Sequence, residues 1–318
     1  MVRYLPHSEL DKNKWDVCIE HATYPIIYGY SWYLDVICPG WDALIEGDYE
    51  SVFPLTWKRK FGIYYLTQPY FAQQLGIFSM AEMTPDKMQD FFNAVPKKFL
   101  HYDIMLNPQN VFQMNGKLHS DVRKTYHVPL HYTYDKIYGS YSGDTKRNLK
   151  RNANKNLAVQ KINAEEIIEL YKKNVWRKTP GVTLDNYETL RKLVNEIENK
   201  NTRQCRTLGV FENNELCAGG IFLISDKKII FLFGAANRTG RKNAAMRFLF
   251  DRMIKQYCRK NYVLDFEGSC INTVEYFYKG FGPHKVTFLN VHFNRFRVLD
   301  YSIAIKQKLS KMVLKMFL

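Results

Sequence analysis

The order of predicted elements between residues 205 and 282 constrains the fold more than any other feature of the chain. Two runs of strand-forming residues, 206–211 and 216–224, flank Asn213-Asn214, and asparagine here indicates a hairpin because it tolerates positive φ. An almost continuous apolar run at 229–233 predicts a buried strand. The period then becomes that of a helix, over residues 241–260. The pattern predicts an antiparallel meander followed by a helix.

The loop between this third strand and the helix contains glycine and several basic residues. A strand that enters a helix through such a loop exposes unpaired backbone N–H groups, which attract an anion together with the helix dipole. Candidate phosphate-binding residues are therefore Arg238, Gly240, Arg241 and Lys242. An ordinary strand-to-helix connection has the same pattern, so the sequence leaves both interpretations open.

Four segments of the second half carry a family resemblance. They are the basic stretch 141–155, the loop and helix start 235–247, Asp-Phe-Glu-Gly at 265–268, and Phe-Tyr-Lys-Gly-Phe-Gly at 277–282. Together they resemble the Fem-type peptidoglycan-bridge aminoacyltransferases, a bacterial family of the GNAT acyltransferase superfamily. In this chain Tyr278 stands where the family usually has lysine. The loop 237–242 also differs from the superfamily pattern Arg/Gln-x-x-Gly-x-Gly/Ala.

The resemblance implies two GNAT-like domains in tandem, and the first half of the chain repeats the order of elements. A meander is predicted from 41 to 67, with a turn at Lys58-Arg59-Lys60, and a helix to residue 99 follows Thr84 as N-cap. We therefore expect an α/β (α+β) fold with domains at 1–140 and 141–318. Each would be a mixed, mainly antiparallel sheet flanked by helices, and the second would carry the donor site.

Composition supports a folded protein and excludes several classes. Hydrophobic residues make up 46% of the 318 positions, which is enough for two cores and excludes a disordered chain. The six cysteines include no Cys-x-x-Cys pair and form no ligand-spaced cluster with the eight histidines, so we expect reduced thiols and no metal. The chain shows no signal-peptide core and no apolar run as long as a membrane span. These features predict a soluble, cytoplasmic protein.

The charge balance points to an anionic partner, because 46 basic and 31 acidic residues leave a net charge of +15. Lys146, Arg147, Lys150 and Arg151 fall on neighbouring lines of one predicted helix. They are suited to clamping a phosphorylated substrate such as tRNA, a nucleotide-linked cell-wall precursor or coenzyme A. The alternative interpretation is a solvated helix face.

Four residues are candidates for the chemistry. Strand periodicity places Asp265 and Glu267 on one face beside the expected site, where either carboxylate could take the proton of an attacking amine. Tyr278 and Lys279 could orient the donor's phosphate or the leaving group. Backbone N–H groups at 233–235 would polarise the acyl carbonyl. The resemblance implies no covalent enzyme intermediate, and the alternative role of the carboxylates is to hold the turn at Gly268.

The favoured function is transfer of an aminoacyl or acyl group to a primary amine of a cell-wall precursor or similar anionic small molecule. Aminoacyl-tRNA and acyl-CoA both remain possible donors. One rival is an acyl-CoA-dependent N-acetyltransferase for a lipid or metabolite amine. Another is a non-catalytic basic binding protein on a degenerate GNAT scaffold. Residues 302–318 alternate lysine with apolar residues and predict a basic amphipathic helix, which docks on the protein itself or on a membrane surface.

Overall fold

The computed structural model describes residues 1–110, 118–152, 155–175, 182–200, 204–268 and 271–295. The chain separates into two compact units: Met1–Arg123 with the described residues from Phe288 onward, and Lys124–Thr287. This division differs from the predicted one after residue 140. In particular, residues Asn290 to Asn294 of the last described strand pair with residues 101–105, which belong to the first unit. The predicted helix at 302–318 lies outside the described residues.

The elements of the first part of the chain are β1 (Val2–Leu5), α1 (Lys12–His21), α2 (Ser31–Ile37), β2 (Asp42–Glu46), β3 (Ser51–Leu55), β4 (Trp57–Lys60), β5 (Ile63–Thr67), β6 (Phe78–Ser79), α3 (Pro85–Asn93) and β7 (Phe99–Met105). Those that follow are β8 (His119–Pro129), α4 (Tyr134–Gly139), α5 (Gly143–Asn152), β9 (Leu157–Lys161), α6 (Ala164–Asn174), α7 (Leu184–Lys200), β10 (Cys205–Glu212), β11 (Glu215–Ser225), β12 (Lys228–Ala236), α8 (Arg238–Lys242), α9 (Ala245–Tyr257), β13 (Val263–Asp265), α10 (Asn272–Lys279) and β14 (His284–Asn294).

The first unit contains an antiparallel sheet in the order β1-β2-β3-β6 and a second set of strands in the order β4-β5-β7-β14. Strands β5 and β7 run parallel, and helix α3 lies between them in the chain. Thr84 caps α3 as predicted, since its Oγ1 accepts a hydrogen bond from Lys87 N at 3.3 Å. The core of this unit is built around Phe53, Phe91 and Phe99, all fully buried.

The second unit has one set of strands, in the order β8-β13-β12-β11-β10-β9. It shares with the first unit an antiparallel hairpin followed, after a helix, by a parallel strand. The meander β10-β11-β12 is antiparallel, and β13 then pairs parallel to β12 after helices α8 and α9. Phe222, Phe250 and Phe266 are fully buried at the centre of its core. Each unit therefore combines a mixed, mainly antiparallel sheet with helices, which confirms the predicted fold class.

Three local predictions about element boundaries were wrong. The helix predicted from Thr84 to residue 99 ends at Asn93, and Phe99 is the first residue of strand β7. Lys58, Arg59 and Lys60 do not form a turn but strand β4, because Lys60 pairs with Ile63 and only two residues remain for the turn. The helix predicted over 241–260 is two helices, α8 and α9. Ala244 between them has φ +51°, a left-handed conformation that interrupts the helix.

The prediction that Asp265 and Glu267 share a strand face was also wrong. Strand β13 ends at Asp265, and Glu267 has φ +57°, so the two-residue alternation of a strand does not reach it. Across the described part of the chain, every helix is too short or too polar to cross a membrane.

Candidate active site

A cleft of about 390 Å³ opens in the second unit where β12 and β13 part. The strands pair from Lys228–Ile230 with Val263–Asp265, and β12 then continues to Ala236, beyond the end of β13. Helices α8, α9 and α10 contribute the other walls. The residues that line the cleft include Phe231, Gly234, Ala236, Arg241, Arg247, Thr273, Phe277 and Tyr278.

The free edge of β12 presents backbone hydrogen-bonding groups to this cleft. On the opposite edge, Asn237 N donates to Cys217 O of β11 at 3.0 Å. Successive strand residues turn their backbone N–H and C=O groups to opposite edges. Since Asn237 faces β11, Ala236 and Gly234 face the cleft. Ala236 O accepts from Arg241 Nη1 at 2.6 Å, in agreement with that direction. The cleft therefore has the N–H donors that a developing oxyanion requires.

The strand is also bulged at this point. Phe233 pairs with Ile221 and Phe231 with Phe222, so Leu232 is an extra residue in β12. Bulges of this kind occur beside active sites because they redirect the residues that follow. Gly234 is required here, since a Cβ would lie 2.7 Å from both Gly219 O and the Phe231 ring.

Tyr278 lines the cleft, whereas Glu267 is not among the lining residues and lies close enough to act on the charge of the Tyr278 phenol. Glu267 Oε1 is buried and has no hydrogen-bond partner in the described part of the chain. Burial raises the pKa of this carboxyl to about 8. The Tyr278 ring stacks on Phe266 at a centroid distance of 4.7 Å. Burial, then the nearby carboxylates of Glu267 and Asp265, raise the pKa of its phenol, which keeps its proton at neutral pH.

Asp265 is fully occupied by structural contacts. Its Oδ1 accepts from Thr125 Oγ1 at 2.6 Å and from Glu267 N at 2.8 Å, and His127 Nε2 lies 3.1 Å from Oδ2. Burial opposes ionisation, but these partners outweigh it and lower the pKa of Asp265. The carboxylate thus holds the turn after β13, and of the two predicted bases Glu267 is the one free to exchange a proton.

Lys279 belongs to an ion cluster next to the cleft rather than to its lining. Its Nζ lies 2.7 Å from Glu275 Oε1, which also accepts from Tyr126 OH at 2.6 Å. Lys124 Nζ binds the other oxygen at 2.7 Å. Hydrogen bonds from Lys124, Lys279 and Tyr126 lower the pKa of Glu275 to about 2. Consecutive helix residues point about 100° apart, so only Tyr278 of the predicted pair faces the cleft.

The two predicted basic segments come together near the start of α9. Asn152, at the end of α5, donates from Nδ2 to Ala244 O at 3.5 Å, which places Lys150 and Arg151 close to the α8–α9 junction. Both cations are exposed and unpaired among the described residues. Arg238, Arg241 and Lys242 on α8 are exposed as well. Ala244 precedes α9 and has no side chain that can accept a hydrogen bond, so no capping side chain occupies the first backbone amides of α9.

The other two basic residues of α5 already have partners. Lys146 Nζ donates to Gly139 O at 2.7 Å, and Arg147 lies 3.9 Å from Asp144. They are therefore less available to a phosphate than Lys150 and Arg151. The structure brings the predicted basic residues to one region but gives them unequal freedom.

Arg247 is a cleft residue that the sequence reasoning missed. Its Nη2 binds Asp144 Oδ2 at 2.8 Å, its guanidinium lies 5.2 Å from the Phe277 ring centroid, and its Nε has no hydrogen-bond partner among the described residues. The sequence signal was an arginine beside the apolar stripe of a helix, a position where arginine is usually solvated. The ion pair with Asp144 of α5 is what distinguishes Arg247 from an ordinary solvated arginine.

Gly240 contributes close packing. Its N–H donates to Asn237 Oδ1 at 2.8 Å, and a Cβ at this position would lie 2.1 Å from Cys217 O. This amide is therefore already used, and its role as a phosphate ligand stays a prediction. The loop needs glycine here because α8 lies directly against the backbone of β11.

We expect Gly240→Ala to lower the free energy of unfolding by about 1–3 kcal/mol or more, because backbone atoms must move to admit the methyl group. The matched control is Gly139→Ala at the end of α4, where nothing lies within 4 Å of the added Cβ. That change should be neutral or slightly stabilising. Urea unfolding of both variants makes the comparison, and equal stabilities would contradict the close contact.

Comparisons with solved structures place this fold among known ones. The chain is similar to the crystal structure of FemX, with a TM-score of 0.63 and 10% identity over 88% of this chain and 96% of that one. It is also similar to L-PGS from Bacillus licheniformis, with a TM-score of 0.56 and 10% identity over 94% and 96% of the two chains. No family model and no curated protein matches the sequence. The Fem-type resemblance is thus confirmed at the level of the fold.

Proposed function

We propose that the second unit is an N-acyltransferase that moves an aminoacyl or acyl group onto a primary amine of a cell-wall precursor or a similar anionic small molecule. The observation that carries this proposal is the open edge of β12. There Gly234 and Ala236 offer backbone groups to a cleft lined by Tyr278. Glu267, whose Oε1 has no hydrogen-bond partner in the described part of the chain, lies close to that phenol. The fold shared with FemX is in keeping with it.

In this reaction the amine nitrogen bonds to the acyl carbon and the ester or thioester bond to the donor breaks. The carbonyl oxygen carries negative charge in between, and the N–H groups of Gly234 and Ala236 would stabilise it. One such donor is typically worth about 10²–10³ in rate. The amine loses a proton in the same sequence, and the leaving oxygen or sulfur gains one.

Glu267 and Tyr278 are suited to those two proton movements. A carboxyl with a pKa of about 8 exchanges its proton close to neutral pH, so ionised Glu267 can accept a proton from the amine. The phenol of Tyr278 stays protonated and can donate a hydrogen bond to the leaving group. Arg247 and the exposed cations at the α8–α9 junction would hold the donor's phosphates.

The donor is identified by measuring binding of acetyl-CoA and of aminoacylated tRNA side by side at near-physiological salt. A protein with a net charge of +15 holds any polyanion at low ionic strength, so the salt concentration decides whether the result is meaningful. Preference for charged over uncharged tRNA supports aminoacyl transfer, and saturable acetyl-CoA binding supports the acyl-CoA-dependent reaction. If neither acetyl-CoA nor aminoacylated tRNA binds, the proposal is contradicted.

We expect Thr273→Trp to weaken donor binding by about tenfold or more, because an indole ring at this position fills a cleft that must bury the acyl end of the donor. The matched control is Asn272→Trp, one residue earlier on α10, exposed and outside the lining. Equilibrium binding and single-turnover transfer are measured for both. Equal losses in the two variants would show that this cleft is not the donor site.

A further inference from the structure

The β4–β5 hairpin of the first unit ends in a tip that the packing of the chain does not explain. Phe61 and Gly62 form its two-residue turn, with φ +50° and +80°, the signs of a type I′ turn. The Phe61 side chain is 92% exposed, and Ile63 beside it is 37% exposed. A large aromatic residue therefore stands in solvent at the end of a hairpin.

Two other hairpins of the chain show how unusual this residue is. The turns at Asn213-Asn214 and Asp226-Lys227 also have two positive φ angles each. Both begin with Asn or Asp, which tolerate the left-handed region because their short polar side chains bond locally. Phenylalanine has no such compensation. A strained, exposed aromatic residue where Asn or Asp would suit the turn better indicates a functional role.

Three cations accompany Phe61. Lys58, Arg59 and Lys60 are all exposed, and none forms an ion pair with a described residue. Lys60 Nζ lies 5.4 Å from the Phe61 ring centroid, and Arg59 lies 5.1 Å from that of Tyr64. The hairpin thus ends in an apolar tip directly followed, toward the body of the unit, by three positive charges.

We infer that this hairpin binds the surface of an anionic phospholipid membrane. Phe61 and Ile63 would enter the boundary between headgroups and acyl chains, while Lys58, Arg59 and Lys60 contact lipid phosphates. The tip is favoured for lipid over nucleic acid because it is convex and its second apolar side chain is aliphatic. Single-stranded nucleic acid is instead bound in grooves with several stacking aromatic side chains. This inference is independent of the acyl-transfer proposal.

The first test is flotation of the full chain with vesicles of phosphatidylcholine alone, or mixed about two to one with phosphatidylglycerol, at near-physiological salt. We expect binding to the anionic vesicles only. Phe61→Asn should weaken it by about tenfold or more, since the apolar anchor is lost. Asparagine suits the type I′ turn better than phenylalanine, so the variant should fold at least as stably. Loss of binding therefore cannot be ascribed to misfolding.

The second test separates the hairpin from overall charge. Replacing Lys58, Arg59 and Lys60 together by glutamine should weaken vesicle binding by about 100-fold, since each cation near an anionic surface contributes about fivefold. A control variant with Lys150, Arg151 and Lys242 replaced by glutamine has the same net charge. It should retain vesicle binding.

Three outcomes would overturn the inference. Unchanged flotation of Phe61→Asn would assign any membrane binding to another segment of the chain. If the two triple variants lost vesicle binding equally, the binding would depend on net charge and not on the hairpin. Loss of single-stranded RNA binding by Phe61→Asn, with flotation intact, would make the hairpin a nucleic-acid contact. None of these readouts uses the acyl donor or the amine, so a failed acyl-transfer assay leaves the test standing.

Discussion

Replacing Asp265 by alanine will lower the free energy of unfolding by about 3–5 kcal/mol, the usual cost of removing one partner from a buried charged group. Thr125, the Glu267 amide and His127 all contact this carboxylate, and Thr125 is fully buried. The substitution leaves their polar groups without an acceptor in a place that water does not reach. Urea unfolding followed by circular dichroism measures the loss.

The matched control is Asp48→Ala, which removes a carboxylate that is 70% exposed and lies 2.7 Å from Lys14 Nζ. An exposed ion pair is worth about 0–1 kcal/mol, so this variant should lie close to the wild type. Because the pKa of Asp265 is lowered in the folded protein, its contribution is present above the unfolded pKa and is lost as the pH falls below about 4. The deficit of Asp265→Ala should shrink in that range. A cost below that of Asp48→Ala would contradict the structural role of Asp265.

The tandem architecture could be predicted because it depends on local periodicity. The meander, the helix and the following strand of the second half each have a distinct pattern of apolar residues. The first half has a similar order of elements, but the meander predicted there was wrong, because residues 41–67 form four strands that belong to two sheets. Turn chemistry predicted the hairpin at Asn213-Asn214, where both φ angles are positive. The turn at Phe61-Gly62 was missed because phenylalanine carries no turn signal. The turn was instead predicted at the adjoining basic residues Lys58, Arg59 and Lys60, because a run of charged residues is typical of a loop.

The functional assignment of the two carboxylates could not be predicted because long-range contacts decide it. Whether the strand continues past Asp265 depends on Thr125 and His127, which lie about 140 positions earlier. Their contacts hold Asp265 and let the chain turn at Glu267. In the sequence both residues were acids near the end of a strand, and nothing local distinguishes the structural carboxylate from the one with a raised pKa.

The break between α8 and α9 is a further example. The helical period runs across it without interruption, and Ala244 favours helix more than most residues. Its left-handed φ of +51° separates α8, which packs at Gly240 against Cys217 O, from α9. The cleft depends on this break, since the amides that open α9 would otherwise be used within one long helix.

Glu267→Gln will affect stability and catalysis in opposite directions. The folded-state pKa of Glu267 is about 8, whereas an unfolded glutamate titrates near about 4.3. Between these values the folded protein holds one more proton than the unfolded chain, so the wild type loses about 1.4 kcal/mol of stability per unit of rising pH. The contribution is fully present below about pH 4.3 and is lost as the pH rises through about 8. Glutamine does not titrate, so the variant should become progressively more stable than the wild type above pH 5.

The same substitution should lower the rate of acyl transfer by about 10²–10⁴, the usual contribution of a positioned acid–base group. In the wild type the rate should rise with pH as Glu267 loses its proton near pH 8, and in Glu267→Gln this dependence should disappear. The control Glu215→Gln changes an exposed carboxylate at the start of β11 and should leave stability and rate unaltered.

Stability against pH and single-turnover rate against pH together decide the role of Glu267. If Glu267 were purely structural, its replacement by glutamine would change the pH dependence of stability and leave the pH dependence of the rate as in the wild type. A base without desolvation would lower the rate but show no stability gain above pH 5. The geometry requires both effects, because burial destabilises the charged form and Glu267 Oε1 has no hydrogen-bond partner among the described residues. A buried acid with positive φ beside a cleft is therefore expected to lower stability at neutral pH and at the same time to set the rate.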